Sequence, residues 1–393
     1  MKITLHRDSK LISQDDYLPM KLCIVTPNVI KGDGQGRANY EIVWEAIRRG
    51  HHITLLASRV DPELQQHSQV NWVSISVKDL PTYLLREIVF SWRSADWLRK
   101  HRQEFDLIQV YGAITSAPGD VNTVQFVHSG WLRSPAHISR IRRDYYGAYQ
   151  WLYTVWNARL EKNAFRQAKV VVAVSEKIKK ELLDLGIPND SIRVILNGVD
   201  LQEFFPGSAD RKELGLPEGV SLALFAGDIR SNRKNLDSVL HALVQVPNLH
   251  LAVLGNTTGS PYPQLAEKLE LSTRVHFLGF RRDVAQIMKA VDLFVFPSRY
   301  EACTLVLLEA LASGLPVITA ATAGGAEIVT PDCGVVLPDS EDVKGLAEAL
   351  RMLQSNPDQR HQMAGAARAV AEQHSWVSKA QNYVDLLEEL SKP

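Results

Sequence analysis

Short apolar, β-branched runs alternate with longer amphipathic stretches along almost the whole chain. The runs that predict strands are Lys21–Pro27, His52–Ser58, Trp72–Val77, Asp106–Tyr111, Thr123–His128, Val170–Ser175 and Arg193–Leu196. A second series follows at Ser221–Gly227, Leu249–Gly255, Arg274–Leu278, Leu293–Pro297, Pro316–Thr319 and Gly334–Leu337. Most are continuous rather than alternating, the pattern of parallel strands covered on both faces. With helical patterns between them, both halves read as doubly wound α/β layers. GVDLQEFFPGSAD, just after a strand, mixes Gly, Pro and polar residues and places the break near Asp200–Asp210. Trp376–Leu390 has helical spacing at Val377, Ala380, Tyr383, Val384 and Leu387; periodicity does not say which half it packs on.

Composition narrows the class. Forty-four basic side chains balance 44 acidic ones over 393 residues, which argues against a nucleic-acid partner. Three cysteines (Cys23, Cys303, Cys333) are too few and too scattered for a disulfide framework or a zinc site, and fit a reducing compartment. The polar start of the chain has no secretory apolar region, and residues 1–19 read as an extension ahead of a buried first strand, MKLCIVTP. No apolar run approaches the ~20 residues that span a bilayer. The expectation is a cytoplasmic protein, soluble or peripheral on the inner face of the membrane. One stretch is locally asymmetric: Trp131–Arg166 holds seven basic residues against Asp144 and Glu161, with eight aromatics interleaved. It reads either as a packed helix with a solvated basic face, or as a surface for a lipid-diphosphate acceptor or a bilayer interface.

Candidate chemistry concentrates in DLFVFPSRYEACTLVLLEALASGLPVITAATAGGAEIV, Asp292–Val329. A strand ends at Pro297, a short loop follows, and a helix starts near Thr304. The free N–H groups at that start, Cys303, Thr304 and Leu305, make an anion site with the helix dipole. A thiol placed there, Cys303, is expected to have a lowered pKa. Glu301 lies in the loop and Glu309 inside the helix, an E-x7-E spacing. Glu309 is placed to accept hydrogen bonds from ribose hydroxyls; the alternative is two solvated glutamates. Arg233 and Lys234, in GDIRSNRKNLD after a strand, read as a site for a diphosphate or as an exposed basic turn. Gly32, Gly34 and Gly36 precede a helix but do not make a dinucleotide fingerprint. Asn39 stands at the third glycine position, and Arg59 where an acidic residue should close the second strand. His128 is expected at a strand's carboxyl end, and Ser175 to cap the next helix.

The segment SRYEACTLVLLEALASGLPVI, the GGAEIV that follows it, and AVSEKIKKELLDLGIPNDSIRVILNGVDLQEFFP upstream resemble the retaining GT-B glycosyltransferases of family 4. That family includes bacterial polysaccharide and lipopolysaccharide sugar transferases. The resemblance implies two facing Rossmann-like domains with a cleft between them and a last helix that crosses back. It places an acceptor-side domain at 20–203 with 376–393, and a nucleotide-sugar domain at 204–375. It assigns Arg233 and Lys234 to the donor diphosphate and His128 to the donor sugar. It places Gly36 and Arg37 at the cleft, and Gly255, Phe280 and Arg281 near the nucleobase. Asp228 departs from a common arginine, for which Arg230 is a candidate substitute, and Asn235 from a common glycine.

No Asp-x-Asp motif follows a strand; the acidic clusters Asp15–Asp16 and Asp339–Asp342 lie elsewhere. The diphosphate charge is then expected to be met by cations and amides without a metal ion or cofactor. The implied reaction moves a hexose from UDP-glucose, or GDP-mannose, to a glycan or lipid-linked acceptor by same-face transfer, with Lys234, Glu301 and His128 at the reacting centre. The alternatives are an epimerase or phosphorylase of the same fold, or a non-catalytic sugar-nucleotide-binding protein.

Overall fold

The computed structural model describes residues 19–32 and 34–392, so the expected extension and its Asp15–Asp16 lie outside the described residues, Pro19 apart. Two large all-parallel sheets organise them. The first contains β1 (Lys21–Val25), β2 (His52–Ala57), β3 (Val70–Ser74), β4 (Leu107–Tyr111), β5 (Val121–Val124), β6 (Val170–Ala173) and β7 (Ile192–Val194), in the order β3-β2-β1-β4-β5-β6-β7. The second contains β8 (Ser221–Ala226), β9 (Leu249–Leu254), β10 (Val275–Gly279), β11 (Leu293–Phe296), β12 (Val317–Ala320) and β13 (Gly334–Leu337), in the order β10-β9-β8-β11-β12-β13. Counted from its own first strand, each sheet reads 3-2-1-4-5-6, the doubly wound order; the first adds a seventh strand. Winding reverses beside the first strand, so a crevice opens there at the carboxyl edge. In the second sheet that crevice lies between the loops after β8 and β11, which pair in register at Ala223↔Leu293 and Leu224↔Phe294.

The helices that matter for the site are α1 (Gly34–Arg48), α2 (Tyr83–His101), α3 (His128–Arg133), α4 (Tyr145–Gln167), α5 (Glu176–Asp184), α6 (Leu236–Val244), α7 (Leu305–Ala312), α8 (Pro357–Glu372) and α9 (Trp376–Ser391). Side-chain caps fix several starts. Thr82, Asp144, Ser175 and Ser375 accept the N–H of Leu85, Gly147, Ile178 and Ser378, each satisfying a donor the helix leaves free. The strand expected at Thr123–His128 runs instead over Val121–Val124. The chain turns into α3 because the Glu161 carboxylate takes the backbone N–H groups of both His128 and Ser129 at 2.7 Å.

Helix α8 packs on the second core through Met363, Ala367 and Ala371, whereas α9 returns to the first through Tyr383, Val384, Leu386 and Leu387. Polar contacts fasten it there. Arg49 Nη1 donates to Asp385 at 2.6 Å and Glu388 at 2.9 Å, and His51 Nε2 meets Glu388 at 2.9 Å in a buried setting. The two chain crossings run side by side, with Val199 N donating to His374 O and Trp376 N to Val199 O. Gly198 makes this possible, since a Cβ there would lie 2.6 Å from Trp376 Cα. The halves face each other across the loop after β11. Tyr300 inserts among Phe126, Trp131 and Ala136 of the first half and donates to Val127 O at 2.9 Å.

Candidate active site

The site is built where the two loops at the second sheet's switch point are tied together. Asn235 Nδ2 donates to Pro297 O (2.9 Å) and Ser340 O (2.6 Å), Ser298 Oγ to Arg233 O (2.9 Å), and Arg299 forks onto Asp237 at 2.8 Å. Asn235 has φ +65°, a left-handed conformation that asparagine adopts more readily than most residues. That accounts for asparagine at a position where the resemblance leads one to expect glycine. So held, Lys234 and Arg233 converge on one carboxylate. Lys234 Nζ hydrogen-bonds Glu301 Oε1, and Arg233 Nε lies 3.8 Å from the same oxygen. Burial lowers the pKa of the Lys234 ammonium, with Glu301 opposing.

Beyond Glu301 the chain enters α7, whose first turn is short of acceptors. Thr304 N is taken by Gly324 O at 2.9 Å, but the N–H groups of Leu305 and Val306 have no acceptor among the described residues. Thr304 Oγ1 is buried and also unpartnered. Two free N–H donors and a free hydroxyl at a helix start, with two cations nearby, suit a diphosphate. The first half closes on this point: a Cβ on Gly34, at the opening of α1, would lie 3.2 Å from Leu305 Cδ1. One and a half turns into α7, the Glu309 carboxylate accepts no hydrogen bond from the described residues. Burial, helped by Glu203, pushes its pKa up to about 7.

Other expected site residues are placed less directly. Cys303 does not have a lowered pKa; burial outweighs the helix start and raises the thiol to about 12. Gly36 does not precede the helix but is buried in the first turn of α1. Arg37 is committed to two carboxylates, Glu41 at 2.6 Å and Asp200 at 3.0 Å, which join α1 to the crossing segment. Arg230 forks onto Asp228 at 2.8 and 3.0 Å, so it does not stand free in place of the missing arginine. Gly255 directly follows β9, with its N–H on Gly279 O. Phe280, which follows, is 77% exposed, and Arg281 is tied to Asp283 at 2.7 and 2.5 Å. Asp342 caps a helix through Gly345 N, and among the described residues no three His, Cys, Asp or Glu side chains form a group that could hold a metal ion.

His128 begins α3 instead of ending a strand. Its ring packs edge-on to Phe126 (5.1 Å) and Tyr153 (5.7 Å), and its Nδ1 is buried without a partner. Burial takes its pKa down to about 4, so the imidazole is neutral near pH 7. It lines a cavity of ≈ 430 Å³ between the first sheet's carboxyl edge and the pair α2/α4, with Gln125, Glu87, Asn157 and Glu161 also in its wall. Sequence reading missed three residues that shape this region. Tyr300 bridges the halves, Glu161 sets the start of α3, and Glu87 accepts from Tyr153 (2.5 Å) and Asn157 (3.1 Å). Tyr300 lies inside the most informative motif, whereas Glu161 and Glu87 carry no local signal beyond a carboxylate on a helix.

Comparison with known proteins gives a consistent set of likenesses. Residues 208–370 match the description "Glycosyl transferases group 1", and residues 32–203 match "Glycosyltransferase Family 4". The D-inositol 3-phosphate glycosyltransferase of Xylanimonas cellulosilytica is 32% identical over 249 residues, 59% of this chain and 60% of that protein. The lipopolysaccharide glucosyltransferase WaaG of Escherichia coli is 34% identical over 193 residues, 47% of this chain and 51% of that protein. The chain thus spans a little over half the length of these two curated relatives. Among solved structures, Anabaena HepE in complex with UDP and glucose superposes with a TM-score of 0.70 at 22% identity, covering 94% of this chain and all of that one.

Proposed function

Because the chain belongs to the group 1 glycosyl transferases of family 4, a GT-B family, we propose that it moves a hexose from a nucleoside-diphosphate sugar to a glycan or lipid-linked acceptor. The proposed donor is UDP-glucose, with GDP-mannose second, and the proposed setting is polysaccharide assembly on the cytoplasmic face of the membrane. The observation that carries this reading is the convergence of Lys234 and Arg233 on Glu301 beside an α7 start with two free N–H groups. In this scheme Glu309 accepts from the ribose hydroxyls, and the diphosphate takes the α7 amides, Lys234 and Arg233. Glu301, displaced from Lys234 by the phosphates, holds hydroxyls of the sugar. Neutral His128 offers its unpartnered nitrogen to the same sugar. The bond from the anomeric carbon to the phosphate oxygen breaks while the acceptor oxygen bonds on the same face. The departing phosphate oxygen receives the acceptor's proton, and configuration is retained. The developing charge is met by Lys234, Arg233 and the amides, so no metal ion is required.

Proton NMR of UDP-glucose and GDP-mannose incubated with the protein in EDTA, with and without simple glycan acceptors, tests this reading. Expected are release of nucleoside diphosphate and a product with the donor's anomeric configuration, at a rate that added magnesium leaves unchanged. An inverted product, or turnover only with magnesium, contradicts it.

A further inference from the structure

Of the sixteen large apolar side chains that stand exposed among the described residues, eleven lie between Tyr83 and Leu160. Seven of these fall within Trp131–Arg166, but four, Tyr83, Leu85, Ile88 and Trp92, lie outside it on α2, and not every aromatic of that stretch is exposed. Trp131 is only 8% exposed and packs on Tyr300 and His137, and Phe165 is buried. Apart from Ile141, the exposed set comes from two helices that pack side by side, α2 and α4. Leu84 and Glu87 of α2 meet Tyr149, Tyr153 and Asn157 of α4 through hydrogen bonds, and the Tyr83 and Tyr153 rings touch. With that line of contact fixed, the 3.6-residue period puts Phe90, Ser94 and Leu98 of α2 and Thr154, Glu161 and Phe165 of α4 toward the sheet. All six are buried. The same period puts Leu85, Ile88 and Trp92 of α2, and Leu152, Trp156 and Leu160 of α4, on the opposite, outer side. Trp92 is 66% exposed and Trp156 43%.

The charge around this face is mostly positive. Arg86, Arg93, Arg140, Arg143, Arg159 and Lys162 have no carboxylate partner among the described residues. The acids of α2, α4 and the α4 cap are all engaged: Glu87 and Glu161 are drawn inward onto hydrogen bonds, and Asp96 and Asp144 are paired with cations of their own segments. A second copy of the chain on this face would bring cations against cations. An anionic bilayer meets both features, taking aromatic and aliphatic side chains at its interface and attracting unpaired Arg and Lys. No helix among the described residues is long and apolar enough to cross a membrane. Tyr83 joins the patch to the ≈ 430 Å³ cavity that holds His128, since it is exposed at the start of α2 and also lines that cavity.

We infer that the outer face of the α2/α4 pair is a docking surface for an anionic lipid bilayer, which brings a membrane-anchored acceptor to the mouth of the His128 cavity. The part about the acceptor rests on the proposed transfer reaction; the docking itself does not. The test is flotation of the full chain with vesicles of phosphatidylcholine alone or with phosphatidylglycerol, while UDP-induced thermal stabilisation is measured in parallel. Binding is expected to the anionic vesicles only, and to weaken as salt shortens the Debye length to a few Å. The pair Trp92→Ser and Trp156→Ser should lower partitioning about tenfold or more, as should Arg140→Ser with Arg143→Ser and Arg159→Ser. Both sets lie on the surface, and UDP stabilisation should be unchanged in each. Negligible binding by the unaltered chain, or binding that neither set reduces, overturns the inference. A dimer that the tryptophan changes dissociate, without vesicle binding, also overturns it and assigns the face to a second copy. Vesicle binding without any UDP stabilisation would leave the docking standing and remove the transfer reading.

Discussion

Glu309 carries a carboxyl that burial penalises and that no donor among the described residues meets. Its carboxyl is raised to about 7 in the folded chain, against about 4.3 in an unfolded one. The folded state therefore binds the extra proton between those values, so this residue's contribution to stability declines as pH rises from about 4 to 7. Glu309→Gln is expected to be more stable than the parent at pH 8, by about 1–3 kcal/mol after allowing for solvent at the cleft. The gain should close toward pH 4, as read by urea denaturation. The carboxylate is kept because, in the proposed scheme, ribose hydroxyls need an ionised acceptor. UDP affinity should then fall about tenfold or more in Glu309→Ala, whereas Glu301→Ala should keep UDP affinity within a few-fold and lose about a hundredfold in turnover. Calorimetric titration paired with steady-state rates checks both. His128 has the opposite sign. Burial holds it near 4 against about 6.5 unfolded, so the stability of its neutral, buried ring is present above pH 6.5 and lost as pH falls toward 4. His128→Gln should flatten that acid limb.

At the scale of elements, strands were legible wherever burial on both faces made them continuous apolar runs. The sheet at Ser221–Ala226 or Leu293–Phe296 needs no more than that. The error at Thr123–His128 has a different origin: the strand is ended by Glu161, 33 residues further on, and no local pattern announces a carboxylate that caps another helix. Arg37, Arg230 and Arg281 each carry an ion pair to a carboxylate two to four residues away, and only the second partner of Arg37, Asp200, is brought to it by packing. The E-x7-E pair and the basic pair were legible because each sits on its own strand-to-helix turn, although that the turns are stitched together was not. Asn235 is the stitch. Asn235→Gly and Asn235→Ala both lose the bonds to Pro297 and Ser340, but only alanine also bears the left-handed backbone. Alanine should therefore be the less stable of the two by about 1 kcal/mol, read as a lower unfolding midpoint. Equal midpoints would mean that the backbone at this turn relaxes.

At the scale of the whole molecule, two similar sheets are held face to face, which sets the opening of α1 at Gly34 against Leu305 at the start of α7. Tyr300, the Gly34 opening of α1 and the returning helix α9 do the holding, with Ser175 Oγ on Ala302 O at 2.6 Å as a further tie between the halves. Doubly wound halves were readable from the sequence, but the side on which α9 packs was not, since its apolar stripe fits either core by period. It is the polar set Arg49, His51, Asp385 and Glu388 that selects the first. The central claim is that a nucleoside diphosphate sits between α7, the Arg233–Lys234 pair and Glu309. Isothermal titration of UDP into the parent chain and into Lys234→Ala, with GDP and ADP as controls and EDTA throughout, tests it most directly. The account predicts saturable binding of UDP by the parent, stronger than that of GDP or ADP, and at least about tenfold weaker in Lys234→Ala for loss of a buried charge–charge contact. UDP affinity equal in the two proteins, or no binding of any of the three nucleotides, would contradict it.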